Sequence, residues 1–354
     1  INIKRRGQKE LISFGIIRND IPIISVNAGI ILQNDIGLIK ITRFAATTYN
    51  EMIKKVEKLK IKGMKKLILD FRGNPGGYLH IANQICDEFL KDGELIVFTE
   101  GRNREKQETF ATKKGSLEDI EVICLIDEGS ASASEIVSGA IQDNDRGLII
   151  GRRSFGKGLV QEQIRLNDGS VMRLTTQRYY TPSGRCIQKD YGENSKEYYL
   201  EQYSRTDDNI NRDSLKYETK NGRIVYGGGG ITPDIVIKLD SNVNYLSINK
   251  MLRKGWINEF CFEKSEKIKN SNITNFKQLN LSDIQLSFNK YIFKKTNENE
   301  MQLGSVERKY LKNLLLATIS RNIWGEDVYY QVKSLEDAYI QNAIKEFKNI
   351  SNLY

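Results

Sequence analysis

The chain has 354 residues, of which 39% are hydrophobic and 28% charged, and its net charge is +9. That length allows two or three domains with a substantial core, and no apolar run approaches the roughly 18 residues of a membrane-spanning helix. The basic excess bears on solubility and association, and no dense basic stripe interleaved with aromatics marks a nucleic-acid interface.

The chain begins with Ile1 rather than Met and has no signal-peptide pattern, so it reads as a fragment or a processed form. Cys86, Cys124, Cys186 and Cys261 form no C-x-x-C pair, which argues against a zinc site. The single histidine, His80, excludes a two-histidine metal site. Any Ser-His or Cys-His catalytic pair would have to use it.

In chain order, residues 1–28 read as short strands, 36–43 as a strand and 47–62 as a helix with Met52, Ile53, Val56 and Leu59 on one face. KKLILDF (65–71) is a short buried strand, and the loop RGNPGG leads into an amphipathic helix over 78–90. ELIVFTE (94–100) and EVICLID (121–127) are strands separated by a polar segment, a helix starts near 132, and GLIIG (147–151) is a strand. Strand and helix therefore alternate from 36 to 151, the pattern of an α/β core. The stretch from Leu159 to Thr181 has hairpin character around Asn167-Asp168-Gly169. Residues 190–222 look loop-like, and 226–237 form a glycine-rich turn into a strand. From about 245 onward there is no proline and long helical periodicity, which indicates a separate helical region.

GRRSFGKG (151–158) matches a phosphate-binding loop up to its last position, where Gly158 replaces the Ser or Thr that ligates Mg²⁺. The helix whose amides would meet the phosphate is missing as well, since a strand pattern follows. Upstream, Ser130, Ser132 and Ser134 lie among alanines at a strand-to-helix junction. Helix capping is the plainer reading of these serines; a nucleophile beside the free amides of a helix start is the other. His80 falls on the helix after NPGG and is a poor candidate for the base. A lysine would need desolvation to act near neutral pH. Lys157, between two glycines and next to Phe155 and Leu159, is the lysine whose setting suggests burial.

Five stretches then occur together: LILDFRGNPGGYLHIA (67–82), SASASEIVSGAIQDNDRG (130–147), GRRSFGKGLVQ (151–161), RYYTPSGRCIQ (178–188) and GGGGITPD (227–234). In order and spacing the chain resembles the carboxy-terminal processing peptidases, or tail-specific proteases, the Ser/Lys-dyad serine peptidases of family S41. The resemblance spans about 36–240. It implies Ser132 as nucleophile, Lys157 as general base and Gln161 as the residue orienting the lysine amine. On an alternating strand, positions 157 and 161 lie on the same face. An oxyanion hole would come from the amide of Ala133 and from Gly76 or Gly77. Glu135, Asp143 and Ser154 take supporting roles. The arginine-to-arginine stretch 178–185 and the glycine run 227–230 are expected to shape turns near the cleft.

The same resemblance implies an α/β fold. Its core would be crotonase- or ClpP-like, with an added β-rich cap, a PDZ-domain remnant at the N-terminus and a helical C-terminal region. It divides the chain into 1–28 (the remnant and linker strands), 29–245 (the S41 peptidase core) and 246–354 (the helical domain). The implied activity is a serine endopeptidase that cleaves proteins near or from their C-termini through an acyl-enzyme, with no cofactor and no metal. Its partners would be protein or peptide substrates with accessible C-termini; a homo-oligomer and an activator or adaptor protein are open, and nucleic acid is not expected. Family members work in the bacterial periplasm or cell envelope. The competing readings are a catalytically inactive peptide-binding scaffold of the same fold and a crotonase-type acyl-transfer or hydratase enzyme, which would not need the Ser/Lys pair.

Overall fold

The computed structural model describes residues 1–5, 7–19, 21, 23–191, 195–204, 215–238, 245–296 and 303–349. The alternating region forms a six-stranded sheet from β3 (Val26–Gln33), β4 (Ile36–Ile41), β5 (Lys66–Asp70), β8 (Glu121–Ile126), β9 (Gly147–Gly151) and β14 (Ile235–Val236). Its order is β14-β9-β8-β5-β4-β3, with β3 antiparallel to β4 and every other pair parallel. The chain is a mixed α/β protein.

KLILD, EVICLI and GLIIG are nearly continuous in apolar residues because both faces of this sheet are covered. Leu67, Leu69, Val122, Cys124, Ile126 and Ile149 turn to a core shared with α1 (Thr48–Ile61), α2 (Leu79–Asp87) and α3 (Ala133–Asp143). The alternate residues Ile68, Ile123, Leu125, Leu148 and Ile150 turn the other way and meet Ile340, Ala343 and Phe347 of the C-terminal helical region.

A second, four-stranded antiparallel sheet has the order β10-β11-β6-β7, built from β6 (Leu95–Gly101), β7 (Arg104–Phe110), β10 (Leu159–Arg165) and β11 (Val171–Tyr180). The β10–β11 turn falls at the expected Asn167-Asp168-Gly169, with Gly169 at φ +85. Small hairpins pair β1 (Asn2–Lys4) with β2 (Leu11–Ser13) and β12 (Lys216–Glu218) with β13 (Ile224–Tyr226).

Two elements depart from the sequence reading. The polar segment after β6 contains β7, and the stretch read as loop over 190–222 contains α4 (Ser195–Ser204); residues 192–194 and 205–214 of that stretch lie outside the described residues. β3 also runs through position 28, so it straddles the expected boundary there.

The C-terminal region consists of α5 (Leu246–Arg253), α6 (Trp256–Lys269), α7 (Leu281–Thr296), α8 (Ser305–Trp324), α9 (Glu326–Ser334) and α10 (Ala338–Glu346). It has its own core around Met251, Phe260, Phe288, Leu315 and Ile319. It also reaches the sheet: Asp327 accepts from the Gly29 amide at 3.1 Å and from Lys55 at 3.2 Å.

Candidate active site

Parallel strands carry their functional loops at their carboxyl ends. Three such loops meet here: 71–78 after β5, 127–132 after β8 and 152–158 after β9. After Lys157 the chain enters β10 rather than a helix, so the loop 151–158 has no helix start to offer a phosphate.

The loops are knitted mainly by Asn74, which is completely buried. Its Nδ2 donates to the Ile41 carbonyl at 3.0 Å, its Oδ1 accepts from the Gly76 amide at 2.9 Å, and its own carbonyl accepts from the Ala131 amide at 2.9 Å and the Ser134 hydroxyl at 3.0 Å. Asp127 accepts from the amides of Gly73 at 2.8 Å and Gly129 at 3.0 Å.

This network separates the three serines. Ser130 is buried and donates to the Phe71 carbonyl at 2.9 Å, and Ser134 is buried on Asn74. Ser132, half-buried, lines a cavity of about 470 Å³ together with Lys157, Gly76, Gly77, Leu79, Ile136 and Tyr179. Its backbone is at φ +56 and ψ −113, a region that L-residues seldom adopt. Such a conformation costs about 1–3 kcal/mol and persists only where the surroundings over-determine it.

Glu135 is what fixes Ser132 in place. It is completely buried in the first turn of α3. Its Oε2 accepts from the amides of Ser132 at 2.7 Å and Lys157 at 2.9 Å, and its Oε1 accepts from the Gly156 amide at 2.7 Å and the Ser154 hydroxyl at 2.5 Å. Ser154 in turn accepts from the Ile231 amide at 2.6 Å. Burial pushes the Glu135 carboxyl above its usual range, against the hydrogen bonds from Ser154, Lys157, Gly156 and Ser132, which favour the ionised form.

Two backbone donors remain over at the cavity. Among the described residues, neither the Ala133 amide nor the Gly77 amide has an acceptor, whereas the Gly76 amide is taken by Asn74. Gly76 keeps the gap open in another way. At φ +95, a Cβ built on it would lie 2.7 Å from the Ser132 Cβ and 2.9 Å from the Ala133 nitrogen. Gly77 passes so close to Phe44 that a Cβ would lie 2.0 Å from its carbonyl oxygen.

Residues 35–194 match the family model described as peptidase family S41. This segment belongs to peptidase family S41. The chain is 42% identical over 193 residues to a carboxy-terminal-processing protease of Bartonella bacilliformis, covering 53% of this chain and 44% of the relative. It is 36% identical over 194 residues to the carboxy-terminal processing protease CtpB of Bacillus subtilis, covering 53% of this chain and 40% of that protein. It thus spans less than half the length of these curated relatives. A solved structure, a photosystem II D1 C-terminal processing protease, is 25% identical, with a TM-score of 0.43, over 57% of this chain and 42% of that one.

The remaining expected residues of this S41 segment are distributed around the cavity. Lys157 is half-buried and shares the cavity with Ser132, without a hydrogen bond between their side chains. Gln161 is exposed at the rim of the same cavity. Strand alternation does not put it on the face of Lys157. Lys157 precedes β10, and a bulge between Val160 and Gln161 breaks the two-residue period. Asp143 lies off the cavity at the far end of α3, where its carboxylate meets Arg185 at 2.7 Å with neither side chain exposed. Ser183 donates to it through its amide at 3.1 Å and its hydroxyl at 2.7 Å, so Asp143 anchors the turn after β11. His80 is exposed and lies tilted against Tyr78, with ring centroids 5.4 Å apart. Among the described residues no three His, Cys, Asp or Glu side chains could hold a metal together.

Tyr179 belongs to the stretch expected to shape turns, yet it is central. Its buried hydroxyl bonds the carbonyls of both Ser132 at 3.1 Å and Lys157 at 2.5 Å. In sequence it is one more aromatic in a strand, and only its partners, far away in the chain, give it this place.

Proposed function

We propose that the chain is a serine endopeptidase that cleaves proteins near or from their C-termini through Ser132 and Lys157. The observation that carries this reading is the strained Ser132, which shares a cavity with Lys157 beside two backbone amides that have no acceptor. In this reading neutral Lys157 takes the hydroxyl proton of Ser132, and the Ser132 oxygen attacks a peptide carbonyl. The amides of Ala133 and Gly77 hold the oxyanion, with Gly76 keeping their approach clear. The lysine passes its proton to the leaving amine. Water, deprotonated by the same lysine, then releases the acylated fragment. Arrival of the substrate brings the two side chains into reach, since catalytic hydrogen bonds are often long without ligand.

Gln161 would steady the Lys157 amine from the rim. Glu135 and Ser154 hold the two main-chain segments, and Asp143 braces the turn after β11. We also read residues 1–28 as the end of a PDZ domain, 29–245 as the peptidase core with a crotonase-like plan, and 246–354 as a helical domain. Placement in the cell envelope is part of the same reading and is supported by resemblance to relatives.

The test is cleavage of an unstructured protein with an apolar C-terminus by the parent, Ser132→Ala and Lys157→Ala chains between pH 6 and 10. Activity present in the parent, absent from both variants and rising with pH through one titration supports the dyad. A peptide that binds without being cut by any of the three would favour the inactive scaffold.

A further inference from the structure

The start of α10 touches two of the three loops of the candidate active site from behind, through Arg72 and Arg152, and is linked to the third through Arg152. Arg72, which opens the 71–78 loop, grips Asp70 with its Nε at 2.9 Å and its NH2 at 2.6 Å, and reaches Asp337 with its NH1 at 3.0 Å. Arg152, which opens the 152–158 loop, makes a two-pronged pair with Glu128 of the 127–132 loop at 2.8 and 2.7 Å, and its NH1 donates to the Tyr339 hydroxyl. The Tyr339 ring lies near both guanidinium groups, 4.6 Å from that of Arg72 and 5.6 Å from that of Arg152. Asp337 caps α10 by accepting from the amides of Tyr339 and Ile340. The helix itself is seated on the back of the sheet through Ile340, Ala343 and Phe347.

Two of the loops are therefore rooted at one point on the C-terminal helix, and the third is joined to that point through the Arg152–Glu128 pair. Gly73, next to Arg72, is bonded to Asp127, next to Glu128, so the roots are also joined to one another. Cations over an aromatic face attract it, and more strongly where water is partly excluded. We propose that Tyr339 is a positioning residue. It fixes the heights of the three loops relative to one another, and so the distance between the Ser132 hydroxyl, the Lys157 amine and the free amides of Ala133 and Gly77. The helical region would then be part of the active-site scaffold rather than an appended module. This inference rests on the serine-peptidase reading for its effect on rate, but its structural content can be measured separately.

The experiment compares the full chain with Tyr339→Ala and Tyr339→Phe by amide hydrogen exchange and by cleavage of the unstructured substrate. In Tyr339→Ala, amides of 71–78, 127–133 and 152–158 should exchange at least about tenfold faster together, while strands β5, β8 and β9 keep their protection. Its kcat should fall about tenfold or more with KM within about twofold, because misplacement of reacting groups costs rate rather than binding. Tyr339→Phe keeps the ring between the guanidiniums and should stay within about threefold of the parent. Unchanged loop exchange in Tyr339→Ala overturns the proposal, as does faster exchange spread evenly over the sheet, which would mark plain loss of stability. A parent chain that cleaves nothing would count against the peptidase reading alone, and the exchange data would still decide the positioning role.

Discussion

Ser132 and Lys157 attach their main-chain amides to one atom, Oε2 of Glu135, at 2.7 and 2.9 Å. The nucleophile and the base of the proposed reaction thus take their positions from a single buried carboxylate. Glu135→Gln offers only one accepting oxygen to four donors and turns an NH₂ toward two of them. Cleavage should fall at least about tenfold, since the two segments no longer share an anchor. The pH dependence has a definite sign. The Glu135 carboxyl is raised, mainly by burial, so the folded state keeps its proton longer than the unfolded state does. Its contribution to stability is complete below the unfolded value of about 4.3 and declines as pH rises through the folded value. Thermal unfolding followed upward from that pH should show this decline in the parent and lose it in Glu135→Gln.

Gly76 and Gly73 make a matched pair for testing space against strain. Both have positive φ, +95 and +68, but a Cβ at Gly73 meets nothing within 4 Å, while one at Gly76 presses on Ala131, Ser132 and Ala133. Gly73→Ala should cost about 1 kcal/mol of backbone strain with activity retained. Gly76→Ala should cost about 1–3 kcal/mol or more and reduce kcat at least about a hundredfold, by crowding the Ala133 amide. Denaturant titration and steady-state rates on both variants check this; equal rates for the two would contradict the role given to Gly76.

Asp70 predicts behaviour in acid. Burial alone would raise its carboxyl, but Arg72 and then Lys40 hold it well below the usual carboxylate range. The stability it contributes is present above the unfolded value of about 3.9 and is lost as pH falls below it toward the folded value. Asp70→Asn should be less stable than the parent by roughly 3–5 kcal/mol at pH 7, because it strands buried Lys40. That gap should narrow by pH 3, as measured by urea unfolding at the two pH values.

The Asp143–Arg185 pair can be broken from one side only. Arg185→Met leaves a buried carboxylate with the two Ser183 donors and no cation, at a cost of about 3–5 kcal/mol. The double change Asp143→Asn, Arg185→Met should recover part of that loss in chemical denaturation. Full additivity of the two single changes would show that the pair is not coupled.

Much of the sheet is legible in the sequence, because β5, β8 and β9 are short apolar runs bounded by glycine or charge. GLIIG is found as a strand at the expected residues, 147–151. β7 is not legible: REKQETF is almost wholly exposed, and an edge strand without a buried face carries no alternation. α4 escapes for a similar reason, since the tyrosines of SKEYYLEQYS follow no helical stripe. In the candidate site, the glycines and serines are visible as motifs. Their division of labour is not, because it depends on where hydrogen bonds go. That the hydroxyls of Ser130 and Ser134 are bonded to carbonyls while Ser132 lines the cavity, and that Asn74 occupies the Gly76 amide and leaves that of Gly77, emerges only once the loops are side by side. The bulge before Gln161 defeats a period count for the same reason. Arg72 and Asp337, 265 residues apart, carry no local sign of each other at all.

That separation has a bearing on synthesis. Five of the six strands of the central sheet are complete by Gly151, yet the apolar side formed by Ile68, Ile123, Leu125 and Ile150 is covered by residues near 340–347. At about 5–20 residues per second, a ribosome needs roughly ten to forty seconds to travel between the two. Throughout that interval the nascent sheet presents one bare oily side, a natural client for a chaperone. The loops at its edge are complete but not yet braced. A half-made chain would hold Ser132 and Lys157 without the last support behind them.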